Sequence, residues 1–189
     1  MALFIRASVV ALALVTTVGC EGVQLDQSSR LSIGDMRLIV DQTVQELSAS
    51  DWIGERNPQS PPAVVTFTEM TNATDDVITR SELWYLAQGV ANEVFRDRLL
   101  REEKNVTLVI PAARLEDARR RGTISERAGS DRRPTHTMTC RIDNIARSDE
   151  NERSDLYVAE YRLVSLDTAT LEWIATVEFE RKALGRSFN

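Results

Sequence analysis

Residues 155–182 read DLYVAEYRLVSLDTATLEWIATVEFERK. Tyr157, Ala159, Tyr161 and Leu163 occupy alternate positions in the first half, and Leu171, Trp173, Ala175, Val177 and Phe179 do so in the second. A period of two is the pleat of a β-strand, so each run puts one apolar face on one side of a sheet. The break between them, Asp167-Thr168-Ala169-Thr170, is short and polar, which makes the strands antiparallel neighbours. The intervening positions carry Glu160 and Arg162 on one strand and Glu172, Glu178 and Glu180 on the other. The expectation is a hairpin with one face on a core and the other at least partly in water.

Working upstream, residues 135–146 (THTMTCRIDNIA) alternate in the same way. His136, Met138, Cys140 and Ile142 share the inward face of a third strand beside the hairpin, and residues 148–154 form a polar turn after it. Residues 63–67 (AVVTF) and 106–110 (VTLVI) read as short buried strands, the second stopped by Pro111. Ser32 opens a helix, with Asp35 three residues on as an acidic capping box. Met36, Ile39, Val40, Val44 and Leu47 form its apolar stripe, Trp52 and Ile53 close that face, and Gly54 ends it. Thr79 or Ser81 opens the longest helix, running to about Glu103. Leu83, Leu86, Val90, Val94, Leu99 and Leu100 point inward there, with Trp84 and Phe95 on the flanks. Residues 114–121 (RLEDARRR) form a short charged helix before Gly122. Residues 57–62 and 69–76 are rich in turn formers and read as loops; Asn72-Ala73-Thr74 there is a chance match to a glycosylation sequon.

The predicted order is α, β, α, β, short α, β, β, β. It implies an α/β fold: a mixed β-sheet ending in an antiparallel C-terminal meander, with helices packed on one side of it. The chain has 189 residues, 42% hydrophobic and 28% charged, enough for one domain with its own core. A net charge of −6 gives no global basic field for nucleic acid.

Residues 1–20 read MALFIRASVVALALVTTVGC. One arginine, a short apolar run at 7–15 and small residues before Cys20 have the order of a secretory leader, and the run is too short for a transmembrane span. Thr17-Val18-Gly19-Cys20 resembles a bacterial lipobox, in which the cysteine is acylated and becomes the mature N-terminus; an ordinary leader with an incidental cysteine is the alternative. The organisation expected is a signal peptide at 1–19, lipidated Cys20 with a short tether over 20–31, and a globular domain over 32–189. Buried acyl carbons stabilise attachment by about 0.8 kcal/mol per CH₂, so several chains on one residue anchor it. Glu21 points to the outer membrane. Residues 21–30 are polar and patternless, and ten extended residues reach at most about 35 Å. With Cys20 lipidated, Cys140 has no partner in the chain and reads as a buried thiol.

The chemistry-bearing residues are sparse. The single histidine, His136, reads as a core or edge residue ahead of a general base. No HxxxH or CxxC spacing is present, nor a Gly-rich loop before a helix or a GxSxG elbow, so no metal, cofactor or catalytic site is expected. Asp75-Asp76 is an acid pair without partners at motif spacing. Arg114, Arg119, Arg120, Arg121, Arg127, Arg132 and Arg133 lie close in sequence. They are either a solvated surface or a contact for an acidic partner or an anionic wall polymer.

Three segments carry a resemblance: AVVTFTEMTNATDDVITRSEL after the first helix, NVTLVI before the short helix, and YVAEYRLVSLDTATLEW at the end. The last is the most specific, with Leu166-Asp167-Thr168 at the turn and Leu171-Glu172-Trp173 opening the return strand. Over residues 33–182, together with the lipobox, the chain resembles the penicillin-binding-protein activator lipoproteins of LpoB type. The resemblance implies a domain like the N-terminal domain of TolB, on a lipoprotein of the outer membrane facing the periplasm. Such a protein is not an enzyme; it binds and stimulates a bifunctional peptidoglycan synthase as a monomer. The tether here is shorter than in well-known members, and ISERAGSDRRP (124–134) replaces the helix and Gly-Ala-acid turn usual before the third strand. The short tether also admits an assembly lipoprotein of the curli or flagellar (CsgG-like) type, working as an oligomer.

Overall fold

The computed structural model describes residues 25–26, 30–120, 133–148 and 152–184. The leader, Cys20 and most of the tether lie outside the described residues, as do Arg121, Arg127 and Arg132. In chain order the elements are β1 (Leu25–Asp26), α1 (Ile33–Ala49), α2 (Asp51–Gly54), β2 (Ala63–Asn72), α3 (Arg80–Arg96), a π-helical turn (Leu99–Glu103), β3 (Val106–Val109), α4 (Ala112–Arg120), β4 (His136–Ser148), β5 (Glu152–Ser165) and β6 (Leu171–Leu184). The strands form one sheet in the order β1-β6-β5-β4-β2-β3. β2 is parallel to β3 and β4, whereas β4, β5 and β6 form an antiparallel meander. The mixed sheet with packed helices expected from the sequence is therefore present.

The inward residues of the meander are the centre of the core. Tyr157, Ala159, Tyr161 and Leu163 of β5 are completely buried, flanked by Met138, Cys140 and Ile142 of β4 and by Trp173, Ala175 and Val177 of β6. Met36, Ile39, Val40 and Leu47 of α1 and Leu86, Ala87, Val90 and Val94 of α3 belong to the same cluster. Both long helices begin as the sequence dictates. The Ser32 hydroxyl accepts from the Asp35 N–H at 3.3 Å and the Asp35 carboxylate from the Ser32 N–H at 2.7 Å. Thr79 and Glu82 repeat the reciprocal pair at α3, at 3.3 and 2.7 Å.

Four expectations are corrected. The longest helix does not run unbroken to Glu103: Asp97 leaves the helical region at ψ 103°, and its carboxylate accepts the Leu99 N–H at 2.8 Å. A short acid that bonds nearby main chain competes with the helix and starts a separate turn. Residues 69–72 are not loop, because pairing of Glu69–Asn72 with Thr139–Ile142 of β4 overrides their turn propensity. The turn follows instead, where the Asn72 side chain accepts the Thr74 N–H at 3.0 Å. The segment read as patternless contributes β1, whose Leu25 and Asp26 lie opposite Lys182 and Ala183. Finally, Leu171 is exposed, for a reason given below.

α1 and α3 meet at Gly89. A Cβ there would lie 2.7 and 3.0 Å from the two methyl groups of Val40, closer than packed carbon atoms approach. Gly89→Ala should therefore destabilise the fold: overpacking costs about 1–3 kcal/mol, against a helix-propensity gain of about 1 kcal/mol. In a Val40→Ala background the same change should become stabilising, and urea titration of the four variants reads the reversal of sign.

Candidate functional site

The register of β5 against β6 contains one irregularity. Leu163 faces Trp173, but the next residue, Val164, faces Leu171, so Glu172 is an extra residue opposed by none. A bulge of this kind re-aims side chains by breaking the period of two. It turns Leu171 outward to 54% exposure, and it brings the carboxylate of Glu172, a residue that itself stays exposed, against Trp52 and His136. The alternation had placed these two residues on the opposite faces.

Glu172 meets two partners there. Its Oε2 accepts the indole N–H of Trp52, on α2, at 2.7 Å and lies 2.9 Å from Nε2 of His136, on β4. The other ring nitrogen of His136 is 2.7 Å from the Thr135 hydroxyl, which itself accepts the Val64 N–H of β2 at 2.9 Å. Following the donors gives one consistent direction: Val64 N–H to Thr135, Thr135 O–H to Nδ1, and Nε2–H to Glu172. This fits the Nε2–H tautomer. The Trp52 and His136 rings meet edge to face at 5.6 Å, and the Arg56 guanidinium lies 5.1 Å over Trp52. Burial lowers the Arg56 pKa, partly countered by Glu172. One carboxylate thus joins α2, β4 and β6. Both His136 nitrogens are engaged within the protein, and the Thr135 oxygen is held by main chain, so the trio has the geometry of a strut.

A second polar node lies elsewhere on the sheet. Asp76 of the sequence-adjacent acid pair accepts the Leu31 N–H at 2.9 Å and the Tyr157 hydroxyl. Burial, the largest cause, and then Asp76 raise the pKa of that phenol. Asp155, fully buried, receives Arg153 at 2.8 and 3.1 Å. Asp35 adds a tie from the α1 cap to Arg181 of β6 at 3.6 Å. Cys140 is buried as expected, and desolvation pushes its thiol up to about 12, so it is protonated at neutral pH.

Of the arginines singled out in the sequence, Arg119 and Arg120 lie in the last turn of α4 and Arg133 in the segment leading into β4. Arg114 is directed elsewhere: its guanidinium sits 4.7 Å over the ring of Trp84 on α3. Among the described residues there is no cluster of three or more His, Cys, Asp or Glu suited to a metal, and no helix is long and apolar enough to cross a membrane.

No protein-family model matches this sequence, and no curated protein does. Among solved structures it is similar to the LpoB C-terminal domain from Escherichia coli, at 14% identity and a TM-score of 0.43, covering 77% of this chain and 98% of that one. The corresponding domain from Salmonella enterica matches at 14% identity and a TM-score of 0.38, over 76% and 94%. Lipoprotein GNA1162 from Neisseria meningitidis matches at 13% identity and a TM-score of 0.40, over 68% and 88%.

If Glu172 holds the two layers together, Glu172→Ala should cost about 1–3 kcal/mol, the penalty for leaving two partly buried donors without an acceptor. Glu178→Ala, on the exposed positions of the same strand, should stay within about 0.5 kcal/mol. Denaturant unfolding of the two variants measures the difference.

Proposed function

We propose that this chain is a lipid-anchored lipoprotein of the outer membrane that binds and stimulates a bifunctional penicillin-binding protein, and that it does so without catalysing a reaction. The observation that carries the reading is the 157–173 segment, in which the Leu-Asp-Thr turn and the Leu-Glu-Trp return resemble those of LpoB-type activators. The lipobox-like Thr17-Val18-Gly19-Cys20 and the matching order of elements support it. Stimulation of this kind requires only that the activator bind the active state of the synthase more tightly than the inactive one.

Reach limits where the synthase can be met. β1 begins at Leu25, five residues beyond Cys20, and five extended residues span at most roughly 18 Å. A domain anchored through Cys20 therefore works close to the membrane, and the docking part of the synthase has to approach it there. Arg119, Arg120, Arg121, Arg132 and Arg133 remain the proposed contact for an acidic surface of that partner.

Two measurements test the reading together. The full chain expressed in a Gram-negative host should incorporate radiolabelled palmitate, and Cys20→Ala should abolish the label. The purified soluble domain should be monomeric by size-exclusion chromatography, retain the synthase in a pull-down and raise its rate of glycan polymerisation. No binding and no stimulation would overturn the proposal, and a ring-sized oligomer would favour an assembly role.

A further inference from the structure

The parallel half of the sheet contains a strand edge that its neighbour does not cover. β3 pairs with β2 only from Ala63 to Thr66, whereas β4, on the other side, follows β2 to Asn72. Residues 67–72 of β2 therefore have no strand on the β3 side among the described residues. The ladder stops for a chemical reason. Continuing the register from Thr66 opposite Val109 brings Pro111 alongside, which has no N–H to donate, and the chain turns away into α4. The N–H of Ala73 donates to Ile142 of β4, so by alternation the main-chain groups of Met70 and Asn72 point to the uncovered edge.

A cleft of about 260 Å³ lies against this edge. Phe67, Met70, Leu83 and Pro111 supply its apolar lining, and Thr68, Trp84 and two arginines, Arg80 and Arg114, complete the wall. The Arg114 guanidinium is fixed over the Trp84 ring, and neither arginine has a carboxylate partner among the described residues. Two such cations beside an apolar floor, in a chain of net charge −6, form a local field of the opposite sign to the whole molecule.

We propose that this cleft takes an extended acidic segment of a partner polypeptide, added to the sheet as a strand along β2. Strand addition draws its affinity from main-chain hydrogen bonds and its specificity from alternate side chains. Here the edge offers the first, the apolar floor seats one side chain of the guest, and Arg80 and Arg114 receive its carboxylates. The cleft falls below the roughly 300–1,000 Å³ of pockets that enclose whole small molecules. This surface differs from the α4-end arginines and does not depend on which synthase, if any, is stimulated.

The probe is a fluorescein-labelled peptide, Glu-Glu-Phe-Val-Glu-Glu, titrated with the soluble domain and read by fluorescence anisotropy. Saturable binding is expected, weakening with added salt and by about tenfold or more in Arg80→Ala and in Arg114→Ala. Arg80→Lys keeps the charge at the start of α3 and should retain most of the affinity if Arg80→Ala disturbs the helix. The Lys-for-Glu peptide should not bind, and a peptide methylated on alternate main-chain nitrogens should lose affinity. Absent saturation, equal binding of the lysine peptide, or indifference to both arginine substitutions overturns the site. Full binding of the methylated peptide overturns strand addition.

Discussion

A single inserted residue adds a polar tie between the two layers of this domain, beside the apolar core that joins them. Without Glu172 the β5–β6 ladder would run in unbroken alternation, and every acidic side chain of β6 would face water. With it, one carboxylate at the rim of the sheet receives donors from α2 and β4 at once while staying accessible to water. A charge in that position is tolerable because both donors come from groups already fixed by packing, so little further ordering is required. The bulge also exposes Leu171.

The other polar ties follow the same plan. Asp35 caps α1 and reaches Arg181 of β6, and Asp76 gathers the Leu31 main chain and the Tyr157 hydroxyl. Each carboxylate that begins as a local device, a helix cap or a turn, ends by joining elements far apart in sequence. The result is a cross-tied sheet on which α1 and α3 pack closely through Gly89. β1 adds two residues, Leu25 and Asp26, to the β6 edge. In the proposed reading such ties suit a module that acts by contact, because a preformed surface loses little entropy on binding.

Much of this was legible in the sequence. The alternation of Tyr157 to Leu163 and of Trp173 to Phe179 locates the meander, and the 3.6-residue stripes of α1 and α3 follow from the same counting. Ser32 was readable as a cap, and Thr79 as one of two candidates with Ser81, because caps are local chemistry. What escaped is non-local. Nothing in DTATLEW marks one residue as inserted, since the bulge exists only relative to the strand opposite. Glu172 therefore read as a solubilising carboxylate, and the lone His136 as a core residue without a named partner. Residues 69–72 carry turn formers, and only β4 makes them a strand. Arg114 read as part of a basic run, whereas contact with Trp84 draws it into a different surface.

The polar tie between α2 and β6 depends most directly on the carboxylate of Glu172 acting jointly with the indole of Trp52. A double-mutant cycle of Trp52→Phe and Glu172→Ala, followed by urea unfolding, isolates that interaction, because phenylalanine keeps an aromatic side chain without the N–H and alanine removes the acceptor. A coupling of about 1–2 kcal/mol is expected for a charge-assisted bond between partly buried groups. Effects that add to within about 0.5 kcal/mol would contradict it and leave the bulge without a structural purpose.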